Sequence, residues 1–248
     1  MEDKIEDKAE SIKEKAIEEE LKPQIELTRE EKEIAAKLEQ WNPRTKLGKL
    51  VRDRKITDIK EVVGKYKILE SEVIDTLIKI NSDIVLIGQA KGKFGGGKRR
   101  AWKQTQKKTK EGNVPTFACL AVVGNKEGYM GVGYGRAKET LPARTKALRK
   151  AKLNLMSVER GCGSFNCACK EKHSIPFKVD GKCGSVRIIL FPAPQGTGLV
   201  IGDECKKVLR LAGIKDIYSD SFGQTRSTIN LIMACVDALK KLADIKRK

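Results

Sequence analysis

The chain has 248 residues, 51 Lys/Arg against 33 Asp/Glu, and a formal net charge of +18. No apolar run approaches the ~18 residues that span a bilayer, and residues 1–40 hold no secretory apolar core, so a membrane partner is not expected and the expected compartment is the cytoplasm. Seven cysteines, an odd number, argue against a full disulfide framework.

The charge is unevenly placed. Residues 1–40 carry 8 Lys/Arg and 14 Asp/Glu, which leaves 43 against 19 in the remainder. Such an excess repels itself unless a polyanion neutralises it, and RNA or DNA is the expected partner, ahead of an anionic membrane surface. Residues 1–27 alternate charges and read as a solvated helix or a disordered tail. Thr28 and Glu31 form a capping box, and the helix it opens is expected to run to about Trp41, before Asn42 and Pro43 end it. Amphipathic pieces follow at 57–66 and 71–80, then a short buried strand at 84–87.

Residues 88–110 are the most basic stretch, with nine Lys/Arg and no acid. Three consecutive glycines, Gly95 to Gly97, disfavour a regular element, and Phe94 and Trp102 stand among the charges where bases could stack on them. The expectation is a basic loop that folds onto RNA, contacting phosphates through Lys91, Lys93, Lys98, Arg99, Arg100, Lys103, Lys107, Lys108 and Lys110. A solvated loop or a localisation signal would have the same composition.

The apolar run 117–123 predicts a strand, GNKEG a turn, and 129–134 a second strand. Alternation puts Gly131, Gly133 and Gly135 on one face, with Met130, Val132 and Tyr134 on the other. A face without side chains admits either a tightly packed helix or a nucleic-acid backbone. From Thr140 the period changes: Ala143, Ala147, Leu148, Ala151, Leu155 and Val158 make an apolar helical stripe, with Pro142 in the first turn. Arg144, Lys146, Arg149, Lys150 and Lys152 occupy the other side, so hairpin and helix share an apolar face and expose a basic one, to which Arg136 and Lys138 add.

Strands are expected at 175–179 and 185–191, joined across Asp180-Gly181 and Cys183-Gly184. A helix is expected over 202–211, with Gly213 at its left-handed C-terminal position, then a short strand at 214–219. A last helix, capped by Thr225 or Ser227, carries Ile229, Ile232, Met233, Val236, Leu239 and Ala243 as its stripe. The alternation describes an α/β layer.

Cys119, Cys183, Cys205 and Cys235 stand singly in apolar or helical contexts and read as small core residues. Cys162, Cys167, Cys169 and His173 differ: three thiols and the chain's single histidine fall within twelve residues. Three thiolates and an imidazole suit a closed, structural tetrahedral zinc site. Unliganded thiols, or a cysteine nucleophile beside His173, are the alternatives. The segment PQGTGLVIGDE, 194–204, lacks the lysine of a Walker loop and reads as a tight turn or an RNA-phosphate contact; no arrangement for acid–base catalysis or a small-molecule substrate is found.

Three segments, FACLAVVGNKEGYMGVGYGRAKE, KALRKAKLNLMSVERGCGSFNCACKEKHSIPFKVDGKCGSV and FPAPQGTGLVIGDECKKVLRLAGIKDIYSDSFGQTRST, together resemble the small-subunit ribosomal protein five family, collinearly over about 107–242. The cysteine-rich insertion is similar to that of the archaeal branch. The resemblance implies an α+β chain with a charged, mostly helical N-terminal extension over 1–83. It implies a double-stranded-RNA-binding-like domain over 84–158 with a basic loop at 88–113, a metal loop at 159–173, and an α/β domain over 174–248. That last domain would have a left-handed β-α-β crossover like that of a class of small-molecule kinases. It further implies small-subunit rRNA and ribosomal proteins four, three and eight as partners, near the decoding region and the mRNA entry channel. The loop 107–113 would reach toward the head–body junction, and it lacks the double glycine of bacterial relatives. An enzyme built on the kinase-like fold, and a free double-stranded-RNA-binding regulator, are the competing classes.

Overall fold

The computed structural model describes Ala36, residues 38–90, Gly92, Gly96, Gly97, and residues 99–169 and 171–245. The capping box at Thr28 and Glu31 and the tail 1–27 lie outside the described residues, as do Lys91, Lys93, Phe94, Gly95 and Lys98. The N–H of Trp41 donates to the Leu38 carbonyl at 3.2 Å, where the chain leaves its helix.

From Asn42 onward the chain is a mixed α+β fold with two sheets. Three short helices come first: α1 (Lys46–Arg52), α2 (Ile59–Val62) and α3 (Glu72–Leu77). The first had no strong periodic signal; it is held at its start by Thr45, whose hydroxyl accepts from Gly48 N–H at 3.0 Å. The Glu70 carboxylate adds bonds from the N–H groups of Arg44 and Thr45 at 2.9 and 2.8 Å. The two amphipathic pieces thus shorten to four and six residues of helix.

The first sheet has the order β1-β3-β4-β5, from β1 (Asn81–Ile84), β3 (Gly112–Gly124), β4 (Tyr129–Ala137) and β5 (Leu155–Ser157), with β2 (Trp102–Thr109) also paired to β3. Strands β1 and β2 share one edge of β3: β1 takes 121–124 and β2 takes 112–119. The predicted strand at 84–87 is therefore displaced to 81–84, while Val85 and Ile87 are buried just beyond it.

Helix α4 (Thr140–Leu153) lies on the glycine face of this sheet. A Cβ on Gly133 would fall 2.2 Å from the Ala151 nitrogen, and one on Gly135 2.3 Å from the Ala143 oxygen. Helix packing, not an RNA backbone, is therefore what the glycine face admits. The stripe is narrower than its sequence pattern: Ala143, Ala147 and Ala151 are fully buried, but Leu148 is only half-buried. The helix ends at Leu153, because Asn154 caps it and Leu155 pairs with Gly131 as the start of β5. Lys152, read as part of the basic face, is instead anchored, its ammonium 2.7 Å from both oxygens of Asp75 on α3. With both side chains mostly buried, Asp75→Ala is expected to cost about 1 kcal/mol, read as a lowered urea midpoint.

The second sheet has the order β6-β7-β9-β8, from β6 (Val179–Cys183), β7 (Val186–Pro192), β8 (Leu199–Val200) and β9 (Ile217–Phe222). Strand β6 begins four residues later than its apolar run suggests. Gly181 is a strand residue rather than part of a turn, since a Cβ there would meet the Ala234 oxygen of the last helix at 2.1 Å. The turn is at Gly184, with φ +58°. Helix α5 (Asp203–Ala212) connects β8 to β9, which pair in parallel, and Gly213 takes φ +84° at its end as expected. Helix α6 (Thr228–Ile245) follows, the Ser227 carbonyl accepting from Leu231 N–H. Ile232, Val236 and Leu239 are buried, whereas Met233, placed on the stripe by sequence, is 39% exposed. Cys119, Cys205 and Cys235 are core residues as expected; Cys183 is half-buried.

One apolar core joins the sheets. Leu120, Val122, Met130 and Val132, on the face of the first sheet opposite α4, pack with Leu209 and Leu211 of α5. Polar ties reinforce the joint: Leu86 N–H donates to Glu204 at 3.0 Å, and Lys207 donates to the Ile84 carbonyl at 3.2 Å.

Candidate metal centre and nucleic-acid interface

The cysteine loop is fixed at both ends by backbone. Gly161 and Ser174 exchange a pair of 2.9 Å hydrogen bonds, and Gly163 N–H donates to the Ile175 carbonyl at 3.2 Å. A Cβ on Gly163 would stand 2.0 Å from the Pro176 oxygen, so the loop needs glycine there to come so close. The ligating atoms of Cys162, Cys167, Cys169 and His173 then all lie within 4.8 Å of one another.

His173 is 2% exposed and turns Nε2 into the cluster, 3.0 Å from the Cys169 sulfur and 3.7 Å from that of Cys167. Its Nδ1 faces Asp216 Oδ2 at 2.8 Å. The other oxygen of that carboxylate accepts from Gly198 N–H at 2.8 Å, and the His173 carbonyl accepts from Lys215 N–H at 2.8 Å. A carboxylate behind the imidazole, fixing the ring so that Nε2 is free to ligate, is the usual outer partner of a metal-bound histidine. Asp216 stands 43 positions from His173 in the chain, and no sequence signal linked them.

Two thiols share a proton. The hydrogen bond from Cys169, at 3.0 Å, brings the Cys167 thiol down to about 6, helped by Gln195 backbone; Cys169 is pushed up to about 11 by the same contact. The pair titrates as a unit. In a tetrahedral shell with zinc–sulfur bonds of about 2.3 Å, the sulfurs stand about 3.8 Å apart. Replacing the shared proton by a metal asks only a small opening of this pair, and the donor set fits zinc.

The basic stretch differs most from its sequence reading. Residues 102–109 are strand, not loop, and the segment 107–113 is the tip of the β2–β3 hairpin rather than a loop before it. Thr109 pairs with Gly112, whose φ of +119° makes the turn. The hairpin extends past the core, so Lys103, Lys107, Lys108 and Lys110 are all exposed. Cross-strand order comes from polar contacts: the Thr105 and Thr116 hydroxyls are 2.8 Å apart, and Arg136 donates to Thr116 at 2.9 Å. Pairing register puts Lys103, Lys107 and Arg136 on the face opposite α4, and Trp102 and Lys108 on the α4 side.

On that side Arg144 is half-buried and lies 5.6 Å from the Trp102 ring centroid, a cation–π contact. Trp102 therefore already has an intramolecular partner on its ring, which the sequence did not reveal. Arg99 donates to the Arg226 carbonyl at 3.4 Å. Arg100, Lys138, Lys146, Arg149 and Lys150 are exposed. Lys91, Lys93 and Lys98 are outside the described residues.

A hairpin rich in exposed cations, an α-helix on a glycine-faced sheet and a thiol–imidazole cluster define a basic, non-enzymatic α+β protein of the RNA-binding kind. Comparison with known proteins gives the family. The profile described as ribosomal protein S5, N-terminal domain, matches residues 100–159, and that of the C-terminal domain matches 181–248. A small ribosomal subunit protein uS5 of Nanoarchaeum equitans is 48% identical over 84% of this chain and 90% of its own length. Those of Methanobrevibacter smithii and Thermofilum pendens are 44% and 47% identical over 84% and 82% of this chain, covering 92% and 94% of their own. The chain belongs to the ribosomal protein S5 family. That family is structural, and the kinase-like enzyme and the free regulator give way to it. Among the described residues no helix is long and apolar enough to cross a membrane.

Proposed function

We propose that this protein is a structural constituent of the small ribosomal subunit, bound to its rRNA near the decoding region and the mRNA entry channel, where it supports accurate decoding and subunit assembly. Its place is on the ribosome, in the cytoplasm. The observation that carries the reading is the β2–β3 hairpin: a strand pair projecting beyond the core with lysines exposed on both faces. Such a surface has no apolar reason to be ordered and suits insertion between phosphate backbones.

Residues 84–158 act as a double-stranded-RNA-binding-like domain. Lys103, Lys107, Lys108, Lys110 and Arg136 contact RNA from the hairpin, and Lys138, Lys146, Arg149 and Lys150 from α4 and the loop before it. Lys91, Lys93, Lys98, Arg99 and Arg100 contact RNA from the connecting segment, while Arg144 and Trp102 brace the hairpin against the helix. Residues 174–248 form the second domain, with a left-handed crossover through α5. Its sheet leaves one face uncovered, where Tyr218 and Phe222 are 42% and 52% exposed, and this face suits contacts with neighbouring ribosomal proteins, of which four, three and eight are the candidates. One structural zinc, held by Cys162, Cys167, Cys169 and His173, orders the segment between the domains.

Each cation that neutralises a phosphate releases a counterion, so affinity falls with salt at about 0.9 units of slope per contact on a duplex. Lys107→Gln with Lys108→Gln is expected to reduce that slope by about two units on a small-subunit rRNA fragment. An unchanged slope would place the hairpin in solvent. Hydrogen exchange of the RNA-free chain adds a second check: amides of 102–109 paired with β3 are expected to be protected before RNA is added, unlike those of a free loop.

A further inference from the structure

The β3–β4 turn, far from the hairpin tip, closes over the C-terminal end of α5 and leaves a cavity of about 570 Å³. Five cations line it, Lys126, Arg160, Lys206, Arg210 and Lys215, and among the described residues no carboxylate does. Only Lys206 has a printed acidic partner, Asp203, at 2.9 Å, and that carboxylate points largely into solvent. Arg160 forms the floor. Its guanidinium donates to the carbonyls of Lys126, Glu127 and Gly213 at 3.2, 2.8 and 3.4 Å, neutral acceptors that hold it in place without cancelling its charge.

The cavity is also built at a conformational cost. Lys126 takes φ +61°, a left-handed conformation that side-chain-bearing residues adopt reluctantly. It is held there because its N–H donates to the Leu211 carbonyl at 2.9 Å while its own carbonyl accepts from Arg160. Gly213 lets the turn come this close, since a Cβ there would stand 2.0 Å from the Lys126 oxygen. Fixed guanidinium, strained lysine and converging ammonium groups make a concave site complementary to a multiply charged oxyanion.

We propose that this cavity binds a phosphate-bearing ligand. The recognised chemistry is two or more adjacent phosphates, since a single anion would leave most of the cations unmatched. Two sources present it: the backbone of an RNA strand, or a free polyphosphate such as pyrophosphate or a nucleoside triphosphate. If RNA is the source, the site is a second contact, about 40 Å along β3 from the hairpin tip at ~3.3 Å per residue. The RNA source rests on the ribosomal reading above; the phosphate chemistry does not.

The test uses the full-length protein and calorimetric titration with inorganic pyrophosphate at low salt. Wild type is expected to bind, and Arg210→Gln with Lys215→Gln to bind at least tenfold more weakly. Lys60→Gln with Lys65→Gln, which removes the same charge from exposed positions around α2, is expected to bind as wild type does. Circular dichroism confirms that each variant is folded. No binding by wild type, or equal loss in both variants, would overturn the proposal. A competition arm then assigns the source: displacement of pyrophosphate by a 12-nucleotide RNA points to an RNA backbone, and retention of pyrophosphate points to a free polyphosphate. The ribosomal reading is tested separately by the hairpin variant, whose salt slope does not depend on this cavity.

Discussion

Replacing Gly133 with valine is expected to abolish stable folding. Even a single Cβ at this position would stand 2.2 Å from the Ala151 nitrogen and 2.3 Å from the Ala147 oxygen. Both are backbone atoms of α4 and cannot turn aside. The helix must move off the sheet, and Ala143, Ala147 and Ala151, all fully buried, lose their contacts together. Overpacking in a core costs typically 1–3 kcal/mol where side chains can adapt. Here only a whole helix can adapt, so Gly133→Ala is expected to cost about 3 kcal/mol or more, and valine more again, against a total stability of about 5–15 kcal/mol. Urea unfolding measures it. Gly92→Ala, where an added Cβ meets nothing within 4 Å, is expected to stay within about 0.5 kcal/mol.

The second large effect is metal removal. Residues 161–173 contain one large apolar side chain, Phe165, and it is fully exposed. Ordering this backbone costs roughly 1–2 kcal/mol per residue, and no buried side chain within the loop other than His173 offsets that. Structural zinc contributes about 10–16 kcal/mol of apparent binding energy in zinc-finger peptides, enough to order the loop. Purified protein is expected to hold about one equivalent of zinc. Chelation is expected to expose the amides of 161–173 to hydrogen exchange while the two sheets, which have their own core, stay protected. Cys167→Ala is expected to lower the metal content, and Asp216→Asn to weaken affinity about 10- to 100-fold through the imidazole it orients. Cys119→Ala, at a thiol buried under the first sheet, is expected to leave the metal content unchanged. Protein purified without chelator and free of metal would return the cluster to ordinary thiols.

Much of the architecture could be read from periodicity, and the exceptions share a physical cause. Strands β3 and β4 and helices α5 and α6 bury one face, and that burial writes a pattern of two or of three and four into the sequence. Strand β2 does not: seven of its eight residues are exposed, so Lys103 to Thr109 needed no apolar alternation and composition alone suggested a loop. Its order comes from main-chain pairing to β3 and from the Thr105–Thr116 contact, neither of which leaves a local signal. Gly181 shows the reverse error. Glycine beside aspartate suggests a turn, yet here it marks the close approach of α6. In the metal loop, the rarity of three clustered cysteines beside the only histidine was informative, while Asp216 was visible only in three dimensions. Lys152 and Arg144 were grouped with the exposed cations because helical spacing cannot show that Asp75 and Trp102 come over from other elements.

Sedimentation tests the central claim most directly. Tagged full-length protein, expressed in a cell whose ribosomes can incorporate it, is followed through a low-magnesium gradient that separates the subunits. Co-migration with the small subunit, retained after a salt wash, is the expected result. Accumulation at the top of the gradient, or with the large subunit, would contradict the account.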